Sequence, residues 1–144
     1  MVRLVESSGD LFVNCPSHIS LAHMVSLDLH MTRGIAKTFR LKFGRIPFLR
    51  HQVHFIGQCA FLSHENRYIF YLVSKGRFFH KPSYLSVTKA FQSLRYHLSS
   101  LGLTQVAIPG KICCGLDRLN WQTVKQIILT VFQGSNIEIH VYYI

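Results

Sequence analysis

The stretch PSYLSVTKAFQSLRYHLSSLG, residues 82–102, decides how the rest of the chain is read. Val87, Phe91, Leu94, Leu98 and Leu101 follow one another at alternating spacings of four and three, the stripe of an amphipathic helix. Ser83, directly after Pro82, offers a side-chain acceptor to the first free backbone amides, and Gly102 offers the left-handed residue at which such a helix stops. Working back from this helix, short runs of strand character cover residues 58–62 and 68–73. Between them lies Ser63-His64-Glu65-Asn66-Arg67, polar and of hairpin length, so the two strands are expected to be antiparallel neighbours.

Further out the same signals recur. Ile35, Phe39 and Phe43 stand four apart and are followed by Gly44, which predicts a second helix over residues 34–43. A third starts near Asn120, buries Trp121, Val124, Ile127, Ile128 and Val131, and stops at Gly134, so three helices are expected. Strand character also marks residues 4–5, 21–25, 106–108 and 137–142. Strands and helices that alternate along a chain pack as helices on both faces of a mixed sheet, which makes the fold class α/β with three layers, α/β/α. No repeat, low-complexity tract or linker interrupts residues 1–144, so a single domain is expected. Open α/β sheets bind ligands at the carboxyl ends of their strands. Gly9-Asp10-Leu11, residues 26–34, Ser74-Lys75-Gly76 and residues 109–117 all fall at such ends and are expected to converge on one crevice.

Composition bounds the partners. Of 144 residues 49% are hydrophobic and 15% charged, which excludes a disordered tail. Sixteen Lys and Arg against six Asp and Glu give a formal net charge of +10 and a pI near 9.9. A surplus of that size attracts phosphate-bearing partners, or simply keeps the protein soluble. Its spread over residues 33–50, 75–89 and 111–125 makes it a surface property and not a basic tail. Cys15, Cys59, Cys113 and Cys114 contain no C-x-x-C pair and follow no secretory leader, so neither a disulfide framework nor structural zinc is expected, and an intracellular location, nuclear or cytoplasmic, is. The apolar runs are too short and interrupted to cross a bilayer, so no membrane partner is expected. His23, His51 and His54 do not make a metal set, and no metal or cofactor is expected.

Gly9-Asp10-Leu11-Phe12, Ser20-Leu21-Ala22-His23 up to Ser26, Gly34-Ile35-Ala36, Lys42-Phe43-Gly44, Tyr68-Ile69-Phe70-Tyr71-Leu72, His80-Lys81-Pro82 and Cys114-Gly115-Leu116-Asp117-Arg118-Leu119 with Trp121 occur in that order. In that order the chain resembles the macrodomain family over nearly its whole length, and most of all the macrodomains that act as ADP-ribose protein glycohydrolases. The resemblance implies a macrodomain fold and a monomer that releases ADP-ribose from glutamate and aspartate esters and deacetylates O-acetyl-ADP-ribose. It implies that the amine of Lys75 attacks the anomeric carbon of the distal ribose and that Asp117 acts on the resulting covalent intermediate. Substrate contacts are implied at Asp10, Leu11, Ser26, Gly34, Lys111, Ile112, Cys113, Cys114, Gly115, Leu116 and Ile144. ADP-ribose and ADP-ribosylated proteins are the implied partners, with poly-ADP-ribose or nucleic acid as further partners of the basic surface.

The chemistry of such a substrate sets its own demands. An ADP-ribose ester carries a diphosphate, an adenine and an electrophilic anomeric carbon, so it needs an adenine acceptor, a backbone cradle and a nucleophile or base. The Asp10 carboxylate suits the exocyclic amine of adenine, although Gly9-Asp10 also reads as a plain turn. Lys75 must lose a proton to attack; an ionised Asp117 opposes the loss, yet as a base it is able to take the proton. Taken singly, Lys75 reads as a solvated lysine at a strand end and Asp117 as the cap of the third helix. Residues 113–116 precede that helix, where free amides hold phosphate.

Four positions depart from the family pattern. Cys113 stands where glycine is usual, and a Cβ there crowds a ligand or resists a positive φ; its neighbour Cys114 is too close along the chain for a relaxed disulfide. Thr32-Arg33 replaces a Gly-Ala pair and adds bulk beside the distal ribose, with Arg33 able to give phosphate a bidentate contact. Leu27 replaces an acidic residue. Beside the hydrolase stand two other readings: a non-catalytic reader of ADP-ribose or its polymer, and a nucleic-acid-binding module. The last needs stacking aromatics on an exposed sheet, whereas Tyr68, Phe70 and Tyr71 read as interior.

Overall fold

The computed structural model describes residues 3–115 and 117–144. Its elements in chain order are β1 (Arg3–Ser8), α1 (Leu11–Asn14), β2 (Ser20–Ser26), α2 (Gly34–Phe43), α3 (Ile46–Gln52), β3 (Cys59–His64), β4 (Arg67–Lys75), α4 (Tyr84–Ser100), β5 (Gln105–Pro109), α5 (Trp121–Val131) and β6 (Glu138–Tyr143). The six strands form one sheet in the order β1-β6-β5-β2-β4-β3. Every neighbouring pair is parallel except β3 with β4, which run antiparallel from Cys59 opposite Leu72 to His64 opposite Arg67. The expected hairpin is present, and both strands reach further into the polar interruption than its composition suggests, leaving Glu65 at φ 54 to turn the chain.

The pleat of the strands divides the core in two. Phe70, Leu72, Val106 and Ile108 meet Val87, Phe91, Leu94 and Leu98 of α4 and Val124 and Ile128 of α5 on one face. Ile69, Tyr71, Val73, Leu21 and Val25 meet Leu11 of α1, Phe39 of α2 and Leu49 of α3 on the other. The layers are therefore α/β/α around a mixed sheet. Each fully buried Phe or Leu contributes about 1.5–3 kcal/mol by leaving water. Within the second face lies His23, fully buried, its ring stacked on Phe39 at 3.7 Å and edge-on to Tyr71 at 4.9 Å. Neither of its ring nitrogens has a hydrogen-bond partner among the described residues, and burial holds the imidazole down to a pKa of about 3.

Helix α4 is closed at its start by a capping box. The Ser83 hydroxyl oxygen accepts from the Ser86 amide at 3.0 Å, and the Ser86 oxygen accepts from the Ser83 amide at 3.1 Å. Ser86 also donates to the Ser74 carbonyl at 2.5 Å, which fastens the first turn of α4 to the end of β4 beside Lys75.

The structure corrects the sequence reading in three places. Among the described residues five helices are present and not three: α1 has four residues and α3 seven, too few to show a periodic stripe, and their starts are set by the Asp10 cap and by a proline in the first turn. Trp121 and Ile127 are only partly buried, because α5 buries a narrower stripe than its composition offers, and the Trp121 indole donates to the Tyr143 hydroxyl at 2.9 Å. Tyr68 is likewise partly buried, whereas Phe70 and Tyr71 are interior. Among the described residues no helix is long and apolar enough to cross a membrane.

Candidate functional site

The carboxyl ends of the parallel strands open onto one cleft of about 1280 Å³. All four segments expected at strand ends meet there. Asp10, Leu11, Ser26, Gly34, Lys75, Lys111, Ile112, Cys113, Gly115, Asp117 and Ile144 border it. Cys114 does not: the chain turns its side chain away, to pack against the core beneath α4 and α5. Leu116 lies outside the described residues.

One end of the cleft is built by β1 and β6. Gly9 takes φ 135 and donates its amide to the Tyr143 carbonyl at 2.7 Å. A Cβ at residue 9 would stand 2.7 Å from Asn14 Oδ1, the atom that accepts the Asp10 amide at 2.8 Å, so this turn requires glycine. Asp10 then does two things at once. Its Oδ1 caps α1 by accepting from the Phe12 amide at 2.8 Å, while its Oδ2 makes no hydrogen bond among the described residues. The Tyr143 ring packs against Gly110, where any Cβ would collide with it.

The far side carries the charged pair. Lys75 ends β4, and its Nζ lies 2.5 Å from Asp117 Oδ1, with both side chains 13% exposed. Lys75 is thus not a solvated lysine. Nor does Asp117 cap α5; Asn120 does, its Oδ1 accepting from the Thr123 amide at 3.1 Å. The segment between β5 and α5 is bent, among its described residues, by three non-glycine residues at positive φ: Lys111 at 57, Cys113 at 67 and Arg118 at 60. Cys113 adopts the conformation that its Cβ resists, at about 1–2 kcal/mol, and the residue lines the cleft while lying buried against the core of α4 and α5. Burial, aided by the Asp117 carboxylate, pushes its thiol well above the usual range, and Cys113 and Cys114 are both free.

The loops after β2 and β4 are laced together around Lys75. The Leu27 amide donates to the Lys75 carbonyl at 2.8 Å and the Asp28 amide to the Gly76 carbonyl at 3.2 Å. Asp28 binds them further. It accepts from the Ser26 hydroxyl, from the His30 amide at 3.2 Å and, through Oδ2, from the Phe78 amide at 3.1 Å. Partial burial works to raise its carboxyl, but these hydrogen bonds prevail and hold it below the usual carboxylate range. The sequence reading missed Asp28; the signal was an acid two residues after a strand-terminal serine, the spacing of a local side-chain turn. It also missed Phe78 and Phe79, which border the cleft and are signalled by two adjacent phenylalanines in an otherwise polar loop. Thr32 and Arg33 stand exposed on the cleft edge. No group of three metal-ligating side chains occurs among the described residues.

No family model matches the chain. Over 140 residues it is 41% identical to the human protein named ADP-ribose glycohydrolase OARD1, covering 97% of this chain and 91% of that one. Among solved structures it is similar to the macrodomain of Mycobacterium tuberculosis DarG, with a TM-score of 0.84 and 18% identity over 99% of this chain and 98% of that one. It is also similar to Thermosipho africanus DarTG in complex with ADP-ribose, with a TM-score of 0.79 and 16% identity over 97% of this chain and 42% of that one.

Proposed function

Because this chain belongs to the ADP-ribose glycohydrolase family of macrodomains, a family of hydrolases, we propose that its cleft releases ADP-ribose from glutamate and aspartate esters on proteins, with Lys75 as nucleophile and Asp117 as proton acceptor. The observation that carries this reading is the Lys75–Asp117 contact on one side of a cleft whose other side holds the free Oδ2 of Asp10. The strand order separates β1 from β4 by four spacings of about 4.8 Å, roughly 19 Å, which suits an extended diphosphate ligand. Adenine then lies at Asp10 and Leu11, with Ile144 beside it. The diphosphate lies along residues 111–115, and the distal ribose near Ser26, Gly34 and Lys75. The likeness in fold to part of a Thermosipho africanus protein solved in complex with ADP-ribose supports a ligand of this kind.

The geometry gives each proton a place to go. Passage of a proton from Lys75 Nζ to Asp117 frees the lone pair that an ammonium lacks. Nζ attacks the anomeric carbon; the C–N bond forms as the C–O bond to the acceptor breaks, and the acceptor leaves as a carboxylate. Once Asp117 has given its proton to solvent, it takes another from the water that attacks the same carbon. The C–N bond breaks, ADP-ribose leaves, and the lysine amine recovers a proton from Asp117. The test is incubation with a glutamate-linked mono-ADP-ribosylated protein, with free ADP-ribose as the expected product. Binding of ADP-ribose without release would favour the reader, for which the exposed Thr32 and Arg33 at the cleft edge are the supporting observation.

A further inference from the structure

Beside Lys75 the cleft edge continues into a ridge of rings that neither core uses. The His30 ring stacks on Phe78 at 4.0 Å, Phe78 meets Phe79 edge-on at 5.3 Å, and Phe79 meets His80 at 4.7 Å. His80 and Ile56 then close over Gly76, where an added Cβ would lie 3.4 Å from the His80 ring and 3.8 Å from Ile56 Cδ1. Phe79 is 69% exposed, Ile56 44% and Phe78 39%. Single exposed apolar residues are ordinary, but a contiguous file of them marks a contact surface. The file is also held in place: Asp28 accepts the Phe78 amide, and His80 Nδ1 accepts the Arg77 amide at 3.2 Å. Ordering that is already done is not subtracted from a partner's affinity.

We propose that this ridge docks the polypeptide that carries the ADP-ribose, in particular an acidic segment with an apolar residue next to the modified carboxylate. The inference rests on Lys75 marking the ribose end: Phe78, Phe79 and His80 border the cleft from the loop that directly follows Lys75, beside the place where the acceptor leaves the anomeric carbon. Two observations favour a protein over a nucleic acid. The ridge ends in Ile56, an aliphatic side chain with no ring face for a base, and its exposed cations, Arg77 and Lys81, are too few to track a phosphate backbone. They do complement an acidic segment, since the nearby carboxylate, Asp28, is already engaged by Ser26, His30 and Phe78.

Ile56 lies outside the cleft, so Ile56→Ser separates docking from chemistry. It is expected to raise KM for a glutamate-linked ADP-ribosylated protein about fivefold, and Phe79→Ser to raise it further, as truncated interface anchors do. For Ile56→Ser the turnover of O-acetyl-ADP-ribose and the Kd of free ADP-ribose are expected to equal those of the parent. An equal loss on O-acetyl-ADP-ribose, no loss on either substrate, or a loss confined to an ADP-ribosylated oligonucleotide would overturn the proposal. If the parent binds ADP-ribose but cleaves nothing, the hydrolase reading falls alone, and the ridge is read instead from the Kd of the modified protein against that of free ADP-ribose.

Discussion

Helix α4 and the loop of residues 109–120 touch where the Tyr84 hydroxyl accepts the Asn120 amide at 3.0 Å, yet they keep their shapes by opposite means. In α4 each level of structure agrees: a capping box starts the helix, Val87, Phe91, Leu94 and Leu98 bury one stripe, and Gly102 at φ 70 follows its end. Among its described residues the loop holds three non-glycine residues in left-handed backbone conformations, each costing about 1–2 kcal/mol. Backbone bonds across the loop offset this, from the Leu119 amide to the Cys113 carbonyl at 3.0 Å and from the Cys114 amide to the Lys111 carbonyl at 2.9 Å. The contrast extends to the whole molecule. Of the seven non-glycine residues with positive φ among those described, five (Leu29, Met31, Lys111, Cys113 and Arg118) lie in the two loops that wall the cleft. Stability resides in the layers below the strand ends, and strain resides above them, where a ligand would be held.

That division can be broken by mutation. Phe91→Ala, in the body, should cost about 3–5 kcal/mol of unfolding free energy by denaturant titration, as large cavities do, and leave the ADP-ribose affinity of the folded protein unchanged. A parallel loss of affinity would mean that the body and the cleft are not separate. The next effect is in acid. His23 takes a proton in the unfolded chain near 6.5 but in the fold only at about 3, so its contribution is complete above 6.5 and is lost as pH falls from 6.5 towards 3. Stability should decline there by of order 1 kcal/mol per pH unit, and His23→Leu should flatten that limb.

Smaller effects sharpen the contrast. Ser83→Ala should cost about 1 kcal/mol through the lost cap of α4. Cys113→Gly should change stability by less than about 1 kcal/mol, because relief of the left-handed strain opposes the added freedom of the unfolded chain. Its effect should appear instead as tighter ADP-ribose binding in calorimetry, since a side chain leaves the cleft wall. A loss of stability as large as that of Phe91→Ala would contradict the division.

The same contrast decides what could be read without coordinates. Helices α2, α4 and α5 carry periodic stripes and end signals, and the strand ends alone bring Asp10, Ser26, Lys75 and residues 109–117 to one crevice. Helices α1 and α3 are too short for periodicity to register. In the cleft, Lys75 and Asp117 were legible by resemblance, but their 2.5 Å contact is a tertiary fact across 42 residues of chain. The Asp28–Phe78 bond spans 50 residues, and no local pattern announces it. Cys113 borders the cleft at the positive φ that its Cβ resists, whereas Cys114 misled because adjacent side chains on a bent loop face different ways.

The proposed reaction requires a covalent bond between Lys75 Nζ and the substrate. Intact-mass spectrometry of Asp117→Ala, incubated with a glutamate-linked ADP-ribosylated protein, measures it most directly. With the Asp117 carboxylate gone, Lys75 gives its proton to solvent and only the attack of water lacks its base, so a mass gain of one ADP-ribosyl group, mapped to Lys75, is expected; it should be absent when Lys75→Arg is added, because a guanidinium keeps its charge but has no lone pair to give. Release of ADP-ribose by Lys75→Arg at the parent rate, with no adduct on Asp117→Ala, would contradict it.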